Sequence, residues 1–294
     1  MDATRSENLR AALIMLVAVG SFSLMDAGLK VLSPHYSAMQ VASLRGFATL
    51  PIAILWVAVQ GGFGQLLRVR FGLHLFRGVL GISSLATFTY GLRRLPLSEA
   101  YAIFFVAPLL ITVFAALWLG ERIGRQRWLA IAVGFAGVLI VLRPTGGGAL
   151  TLAGLALLAT AVTYAASAIT VRVLGRSDST QSMVFWLMAM VAAGAGALAL
   201  PGWRAIQPTH WPAIAGIAVT GSLGQWAITE AFRRGQASFI APLEYTALVW
   251  GIGLDWTLWR TLPGPVTFLG AAVIIASGVY LIRREKVHAE AEHP

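Results

Sequence analysis

A few charged side chains lie deep inside long apolar stretches, where they could bind a charged group. Asp26 and Arg45 are each flanked by apolar runs, near the same end of their segments. Ionisable groups inside a membrane are costly and usually face a cavity or a partner. At 1.5 Å per residue, Arg45 would lie about 9–12 Å from that end, as Asp26 would. We expect the two to pair, either as a structural lock or as a pair open to competition from a substrate carboxylate or a proton.

Glu244 is a second candidate, about two helical turns into its apolar segment. Pro242 precedes it, and a proline frees a backbone carbonyl and loosens the helix. A carboxylate at that depth suits a substrate ammonium group or a proton. The alternative is an ion pair with Arg233 or Arg234 at the membrane surface. Three further charged residues are interpreted as interfacial or as snorkelling to the surface: Asp255, Arg260 and Arg77.

Aromatic residues could line a pocket between several segments. Tyr101 and Phe104 share one helix face by their spacing. Tyr90 lies just before the short connection 93–98 that leads to that helix. An apolar pocket with a few polar groups suits an apolar amino acid, and core packing is the alternative for each residue alone. Most tryptophans, Trp56 and Trp259 among them, fit an interfacial aromatic belt. The substrate-binding candidates are Arg45, Tyr90, Tyr101, Phe104, Gln225, Trp226, Glu244 and Tyr245.

These residues must be positioned by membrane-spanning helices. Apolar residues make up 57% of the chain and charged residues 12%, whereas soluble domains carry about 25% charge. A spanning helix needs about 20 mostly apolar residues, and no strand alternation is visible. The sequence therefore predicts an all-α polytopic membrane protein with ten transmembrane helices. The predicted spans are 9–32, 37–60, 71–93, 97–118, 125–142, 150–174, 181–200, 210–233, 237–259 and 264–283.

The two halves of the chain resemble each other. Ala11–Leu32 superposes on Ala153–Leu174 without a gap, and Arg93 and Arg94 superpose on Arg233 and Arg234. Because each copy has five spans, the second must be inverted in the membrane. Inverted repeats are a transporter architecture with the substrate site between the halves. The predicted units are a first five-helix repeat over 1–148, an inverted repeat over 149–284 and a short charged tail over 285–294, expected to be disordered.

Arginine and lysine residues set the expected orientation. Fourteen lie on the face that holds the N-terminus and six on the opposite face. The positive-inside rule therefore places both termini in the cytoplasm. Because the net charge of +10 is concentrated at helix ends, the lipid bilayer is the expected partner and nucleic acid is not.

The segment 95–142 resembles the end of an EamA repeat of the drug/metabolite transporter superfamily. The matching features are Pro108, the exit Leu119-Gly120-Glu121 and the closing helix with Gly134 and Gly137-Val138-Leu139. Arg45 also resembles the arginine of the family's second helix. The second half matches through Pro242, Tyr245, Gly270 and Gly278-Val279, and departs at its exit, Leu258-Trp259-Arg260. That departure resembles the YddG-type aromatic amino acid exporters of the superfamily.

The resemblance implies a ten-helix bundle in the bacterial inner membrane. Helices 1–4 and 6–9 would surround a central cavity, with helices 5 and 10 peripheral. It also implies export of small metabolites, amino acids above all, with aromatic ones favoured. A monomer would suffice. The alternative is a carrier of the same fold for another solute, such as a nucleotide-sugar, a nucleoside or a cationic drug.

Enzymatic and metal chemistry find no support in the sequence. The HExxH, GxSxG and P-loop patterns are absent, and there is no cysteine. The five histidines lie at loops, helix ends or the tail, so neither a metal site nor a cofactor is expected, and no channel filter is visible. We therefore expect a secondary carrier that works by alternating access. Pro108 and Pro242 are its hinge candidates, with static kinks as the alternative.

Overall fold

The computed structural model describes residues 2–60, 62–120, 124–142, 151–175, 177–234 and 241–292, and within these ranges it contains helices and no strand. Glu121, the last residue of the exit that resembles the family, lies outside the described residues. The α-helices are α1 (Asp2–Leu32), α2 (Ala38–Gln60), α3 (Phe71–Leu92), α4 (Leu97–Phe104), α5 (Ala107–Leu119), α6 (Arg125–Leu142), α7 (Leu152–Leu174), α8 (Thr180–Met190), α9 (Gly196–Ala199), α10 (Trp211–Arg234), α11 (Ala247–Leu254) and α12 (Pro265–Glu292).

In the described part of the chain, six helical stretches are long and apolar enough to cross a membrane, which confirms the predicted all-helical membrane class. Two shorter apolar helices cover Trp128–Val141 and Pro265–Tyr280. The six long stretches are Arg10–Leu32, Ala38–Gln60, Phe71–Leu92, Leu97–Trp118, Leu152–Val171 and Thr180–Gly202.

Several predicted spans are interrupted rather than continuous. The fourth breaks between α4 and α5, and Pro108 lies in the first turn of α5, where its missing N–H costs no helical hydrogen bond. The seventh carries a π-helical turn at Val191–Ala195. The ninth consists of a 3₁₀ turn at Ala241–Thr246, then α11, then a π-helical turn at Asp255–Trp259. In contrast, α12 continues through Glu292, so the expectation of a disordered tail is wrong up to that residue.

The main helix pairs join the first half of the chain to the second: α1 packs on α10, α3 on α7, α6 on α12, and α2 on α8. Glycines permit the closest approaches. A Cβ added to Gly46 would lie 2.6 Å from the backbone nitrogen of Ala192, and one added to Gly137 would lie 3.0 Å from the carbonyl oxygen of Gly270. Without these small residues the backbones could not pack so closely.

A hydrogen-bonded clasp joins the start of α2 to the loop between α9 and α10, on the face opposite the N-terminus. The Tyr36 hydroxyl lies 2.8 Å from Nδ1 of His210 and accepts the backbone N–H of Gln207 at 2.9 Å. The Gln40 amide donates to the carbonyl oxygen of Arg204 at 2.6 Å and accepts its N–H at 3.1 Å. We call this group the Tyr36 clasp.

A second clasp, at the N-terminal face, joins the start of α8 to the connection between α2 and α3 and to the first turn of α3. Asp178 lies 2.8 Å from Nε2 of His74 and accepts the backbone N–H of Arg70 at 3.2 Å. The hydroxyl of Ser182 donates to the carbonyl oxygen of Gln65 at 3.0 Å. We call this group the Asp178 clasp. Together the two clasps connect the ends of the predicted second and seventh spans at both faces.

Candidate functional site

Asp26 is hydrogen-bonded to a neighbouring helix rather than ion-paired. The Tyr101 hydroxyl donates to its Oδ2 at 2.9 Å. Arg45 lies within electrostatic range of Asp26. However, the ion pairs within 4.0 Å among the described residues are those of Lys30 with Asp255 and His74 with Asp178. The expected direct pair of Asp26 and Arg45 is therefore not formed, because Tyr101 of α4 takes up the carboxylate.

A cavity of about 330 Å³ lies between α2, α8 and α10. This volume is at the lower end of the range for small-molecule sites, about 300–1,000 Å³. Arg45 is the charged residue of its wall, and the predicted residues Gln225 and Trp226 line it too. Trp56, which the sequence assigned to an interfacial belt, is also a lining residue. The remaining wall is Thr49, Ile52, Ala53, Leu55, Val59, Val184, Met188, Gly221 and Ser222.

A second polar group lies nearer the N-terminal face. Tyr164 of α7 is within electrostatic range of Glu244 and Arg77, and its ring centroid lies 5.1 Å from that of Phe104. Tyr164 is nevertheless 39% exposed. Side chains of three other segments thus lie near this tyrosine. Phe104 and Tyr101, three residues apart on α4, thus contact the two polar groups separately.

Arg77 belongs to this second group and points toward the N-terminal face. Its Nη1 donates to the carbonyl oxygen of Met183, in the first turn of α8, at 2.7 Å. Its Nε is buried and has no hydrogen-bond partner among the described residues. The interpretation that Arg77 snorkels to the surface stays a prediction. The alternative pairing of Glu244 with Arg233 or Arg234 involves side chains outside the described part of the chain.

The prediction of an interfacial Asp255 is wrong, because its side chain is completely buried. Its oxygens accept from Lys30 Nζ at 2.9 Å, from the backbone N–H groups of Leu97 and Ser98 at 3.0 and 2.9 Å, and from the Ser98 hydroxyl at 2.7 Å. The Asp255 carboxylate thus lies at the N-terminus of α4, a helix of the other half, where a negative charge is favourable. The sequence around Asp255 does not indicate this contact.

Two predicted site residues lie elsewhere. The guanidinium of Arg94 stacks 4.0 Å from the ring centroid of Tyr90 at the end of α3. Tyr245 is buried, and its ring packs edge-on against that of Phe105 at 5.1 Å between centroids. Its hydroxyl lies against Gly278 and has no hydrogen-bond partner in the described part of the chain. Tyr245 is thus part of the packed core. Of the hinge candidates, Pro108 follows a helix break and Pro242 lies in a 3₁₀ turn.

The pattern of two similar halves agrees with a known family. The profile of the EamA-like transporter family matches the chain twice, over residues 9–143 and 151–284. The chain belongs to the EamA-like transporter family. EamA membership makes it a membrane transporter and not an enzyme, and it confirms the family resemblance found in the sequence.

Several EamA relatives are similar over nearly their full length. The riboflavin transporter of Vibrio cholerae is 30% identical over 281 residues, covering 94% of each chain. The pseudopaline exporter CntI of Pseudomonas aeruginosa is 26% identical, covering 93% of this chain and 96% of its own. The S-adenosylmethionine uptake transporter of Rickettsia prowazekii is 28% identical, covering 95% and 94%. The names of these three relatives denote transporters of small molecules, and none denotes an aromatic amino acid exporter.

A solved crystal structure shares the fold. It superposes with a TM-score of 0.65 at 19% sequence identity, covering 94% of this chain and 98% of the other. At that identity the similarity concerns the fold alone.

Proposed function

We propose that this EamA transporter is a secondary carrier that exports amino acids, with aromatic and other apolar side chains favoured, by alternating access. The observation that carries the proposal is the placement of Asp26 and Arg45. Opposite charges lie within electrostatic range of each other on two helices, and one of them lines a cavity with apolar and aromatic walls. A zwitterion with an apolar body complements such a site.

Each part of an amino acid has a matching group. Arg45 suits the carboxylate, because guanidinium groups bind carboxylates through two parallel hydrogen bonds. The carboxylates of Asp26 and Glu244 suit the ammonium group. Trp56 and Trp226 suit an apolar or aromatic side chain, since both line the cavity wall. A phosphorylated solute would need several convergent cations, and Arg45 is the charged residue of this wall.

The proposed architecture is ten spans in two inverted five-helix repeats, and the two clasps support it. The shift of 142 positions that superposes Ala11–Leu32 on Ala153–Leu174 also places Tyr36 on Asp178. Each of these two side chains accepts one backbone N–H and contacts one histidine, at opposite faces of the bundle. The helix pairing supports it too, because exchanging the two halves converts the α1–α10 contact into the α7–α3 contact.

We place the N-terminal face in the cytoplasm because it carries the larger share of arginine and lysine residues. The bacterial relatives make the inner membrane the expected location. Reporter fusions after Arg143 and after Arg284 should report opposite sides of the membrane. The same side for both fusions would contradict the orientation and the inverted repeat together.

Pro108 and Pro242 remain our hinge candidates. Both lie at interruptions of a span, and a helix break already lacks the hydrogen bonds that bending would otherwise disrupt. The break between α4 and α5 falls directly after Phe104, which contacts Tyr164 of the second half. Bending there would move Tyr101 and Phe104 relative to the cytoplasmic part of the same span.

A second candidate substrate class is a planar heteroaromatic metabolite such as riboflavin. The observation that favours it is the pair of tryptophans, Trp56 and Trp226, in the wall of one cavity. The 30% identical relative from Vibrio cholerae, a riboflavin transporter, points the same way. Cationic drugs form a third group, because Glu244 and the aromatic residues would suit them equally.

Counterflow in proteoliposomes separates these candidates. Purified protein would be tested with labelled phenylalanine, threonine, riboflavin, S-adenosylmethionine and a nucleoside. We expect phenylalanine exchange to exceed threonine exchange, and Arg45→Gln to abolish it while Arg45→Lys retains part. Exchange of riboflavin without phenylalanine would support the second candidate and overturn the first.

A further inference from the structure

Asp255 forms a network that closes the bundle between its two halves. Its carboxylate is completely buried and binds three groups of the first half: the Lys30 ammonium, the first backbone N–H groups of α4 and the Ser98 hydroxyl. The ring of Trp259 covers Lys30 at 4.2 Å from ring centroid to Nζ. In the proposed orientation this network lies at the outer ends of α1, α4 and the ninth span.

The packing below the network is equally close. A Cβ on Gly251, one turn before Asp255, would lie 2.8 Å from the Tyr101 ring and 3.3 Å from the Cα of Ser98. No solute could pass between α4 and α11 at this level. The Tyr101 hydroxyl in turn donates a hydrogen bond to Asp26. The network therefore positions Tyr101, which holds the Asp26 carboxylate of the proposed site.

The two clasps identify which contacts between the halves stay closed. In an inverted repeat the outward and inward states arise when the halves exchange conformations. If a contact is formed at one face in the outward state, the corresponding contact at the opposite face is therefore formed in the inward state. The Tyr36 clasp and the Asp178 clasp are counterparts, and both are formed in this structure. Both should then be formed in both states, which makes the predicted second and seventh spans a static frame.

The Asp255 network is a further closed contact between the halves, on the face we assign to the outside. Unlike the two clasps, it is described on that face alone. The register that places Pro108 on Pro242 places Glu121 on Asp255, and Glu121 lies outside the described residues.

We propose that the Asp255 network is the outer gate of the carrier, which must break before the cavity opens to the outside. Lys30, Ser98 and Asp255 would control access and position α4 without touching the solute. This inference rests on the proposed transporter function, but it is independent of which solute is carried.

The chain contains no cysteine, so one reporter suffices for the test. Ser222→Cys places a thiol in the cavity wall. Its labelling rate by a membrane-impermeant thiol reagent would be measured from the outside in right-side-out vesicles and from the cytoplasmic side in inside-out vesicles. The variants are Lys30→Met, Asp255→Asn and the milder Ser98→Ala, which leaves Asp255 its other donors. Arg94→Met is the matched control, because Arg94 is exposed and lies outside the network.

We expect Lys30→Met to raise outside labelling on the order of tenfold, the effect of losing one hydrogen bond to a charged group. Cytoplasmic labelling should fall at the same time, since the population moves toward the outward state. Arg94→Met should match the reporter alone. A rise on both sides would show general loosening, and unchanged rates in all three variants would show no gate; either result overturns the inference. Labelling needs no substrate, so a failure of phenylalanine exchange would leave the labelling result, and with it the test of the gate, unaffected.

Discussion

The Tyr101 hydroxyl donates a 2.9 Å hydrogen bond to Oδ2 of Asp26, joining α4 to α1 at the predicted substrate site. Tyr101 is 5% exposed and packs against Gly251 on its other side. A neutral donor therefore holds the Asp26 carboxylate, while Arg45 acts on it from farther away. The same tyrosine is thus in contact with the site and with the Asp255 network.

Asp26→Asn should reduce stability, because it leaves Arg45 buried without a nearby opposite charge. Losing one partner of a direct buried ion pair costs about 3–5 kcal/mol. Since no direct pair exists here, we expect a smaller loss, about 1–3 kcal/mol. Thermal unfolding of the detergent-purified protein measures it. Arg45→Gln added to Asp26→Asn should restore most of the stability, and an equal loss in the double variant would show that Arg45 is not the cause.

Tyr101→Ala should weaken phenylalanine transport more than threonine transport, because an aromatic contact and the hydrogen bond to Asp26 are both removed. The expected loss for phenylalanine is roughly 5- to 150-fold in affinity, equivalent to about 1–3 kcal/mol. Tyr101→Phe is the matched variant, which keeps the ring and removes the hydroxyl. Competition in the counterflow assay gives both affinities. Equal losses for the two solutes would indicate a folding defect instead of a contact with the solute.

Glu244→Gln should leave the protein folded and abolish the pH dependence of transport. Glu244 is partly exposed and lies within electrostatic range of Tyr164, where it could exchange a proton or bind the substrate ammonium. We expect wild-type counterflow to change between about pH 5 and 8, because Glu244 would take up and release a proton in each cycle, and the variant to respond little. A variant with the wild-type rate and pH profile would make Glu244 a packing residue and the carrier an uncoupled facilitator.

Asp178→Asn should destabilise the protein at neutral pH and much less in acid. Burial raises the pKa of this loop carboxyl, but hydrogen bonds from Ser177, His74 and the Arg70 amide outweigh it and hold the pKa below its usual value. A lowered folded-state pKa gives stability that is complete above the unfolded value, about 4, and is lost as the pH falls through the folded value.

We expect Asp178→Asn to cost about 1–3 kcal/mol at pH 7, with the difference from wild type shrinking below about pH 4. Thermal unfolding at several pH values measures it. Tyr36→Phe is the matched variant, because Tyr36 occupies the corresponding position of the other clasp and carries no carboxyl group. Its cost should therefore not depend on the Asp178 carboxyl. Parallel pH profiles for the two variants would contradict the assignment to Asp178.

The helical membrane class and the two-part organisation could be predicted from the sequence, because both depend on composition and on repeats along the chain. The apolar runs give the spans directly. The interruptions of the fourth and ninth spans could be anticipated only at Pro108 and Pro242. The π-helical turns at Val191–Ala195 and Asp255–Trp259 could not, since no local residue type specifies them.

The candidate site was predictable where a single residue type is informative. A buried charge such as Arg45 is rare in a membrane helix, so its position alone indicated the cavity wall. Aromatic residues are common in both cores and sites, so Tyr90 and Tyr245 were assigned to the site although the first stacks on Arg94 and the second packs on Gly278.

Partners on different helices were decided by the tertiary structure alone. The sequence shows that Asp26, Tyr101, Lys30 and Asp255 exist and how deep each lies along its helix. Which of them meet depends on helix rotation and on close approaches at glycines such as Gly251, where a single methyl group would separate the helices. That is why Asp26 bonds to Tyr101 instead of Arg45, and why Lys30 and Asp255 meet across 225 positions of the chain.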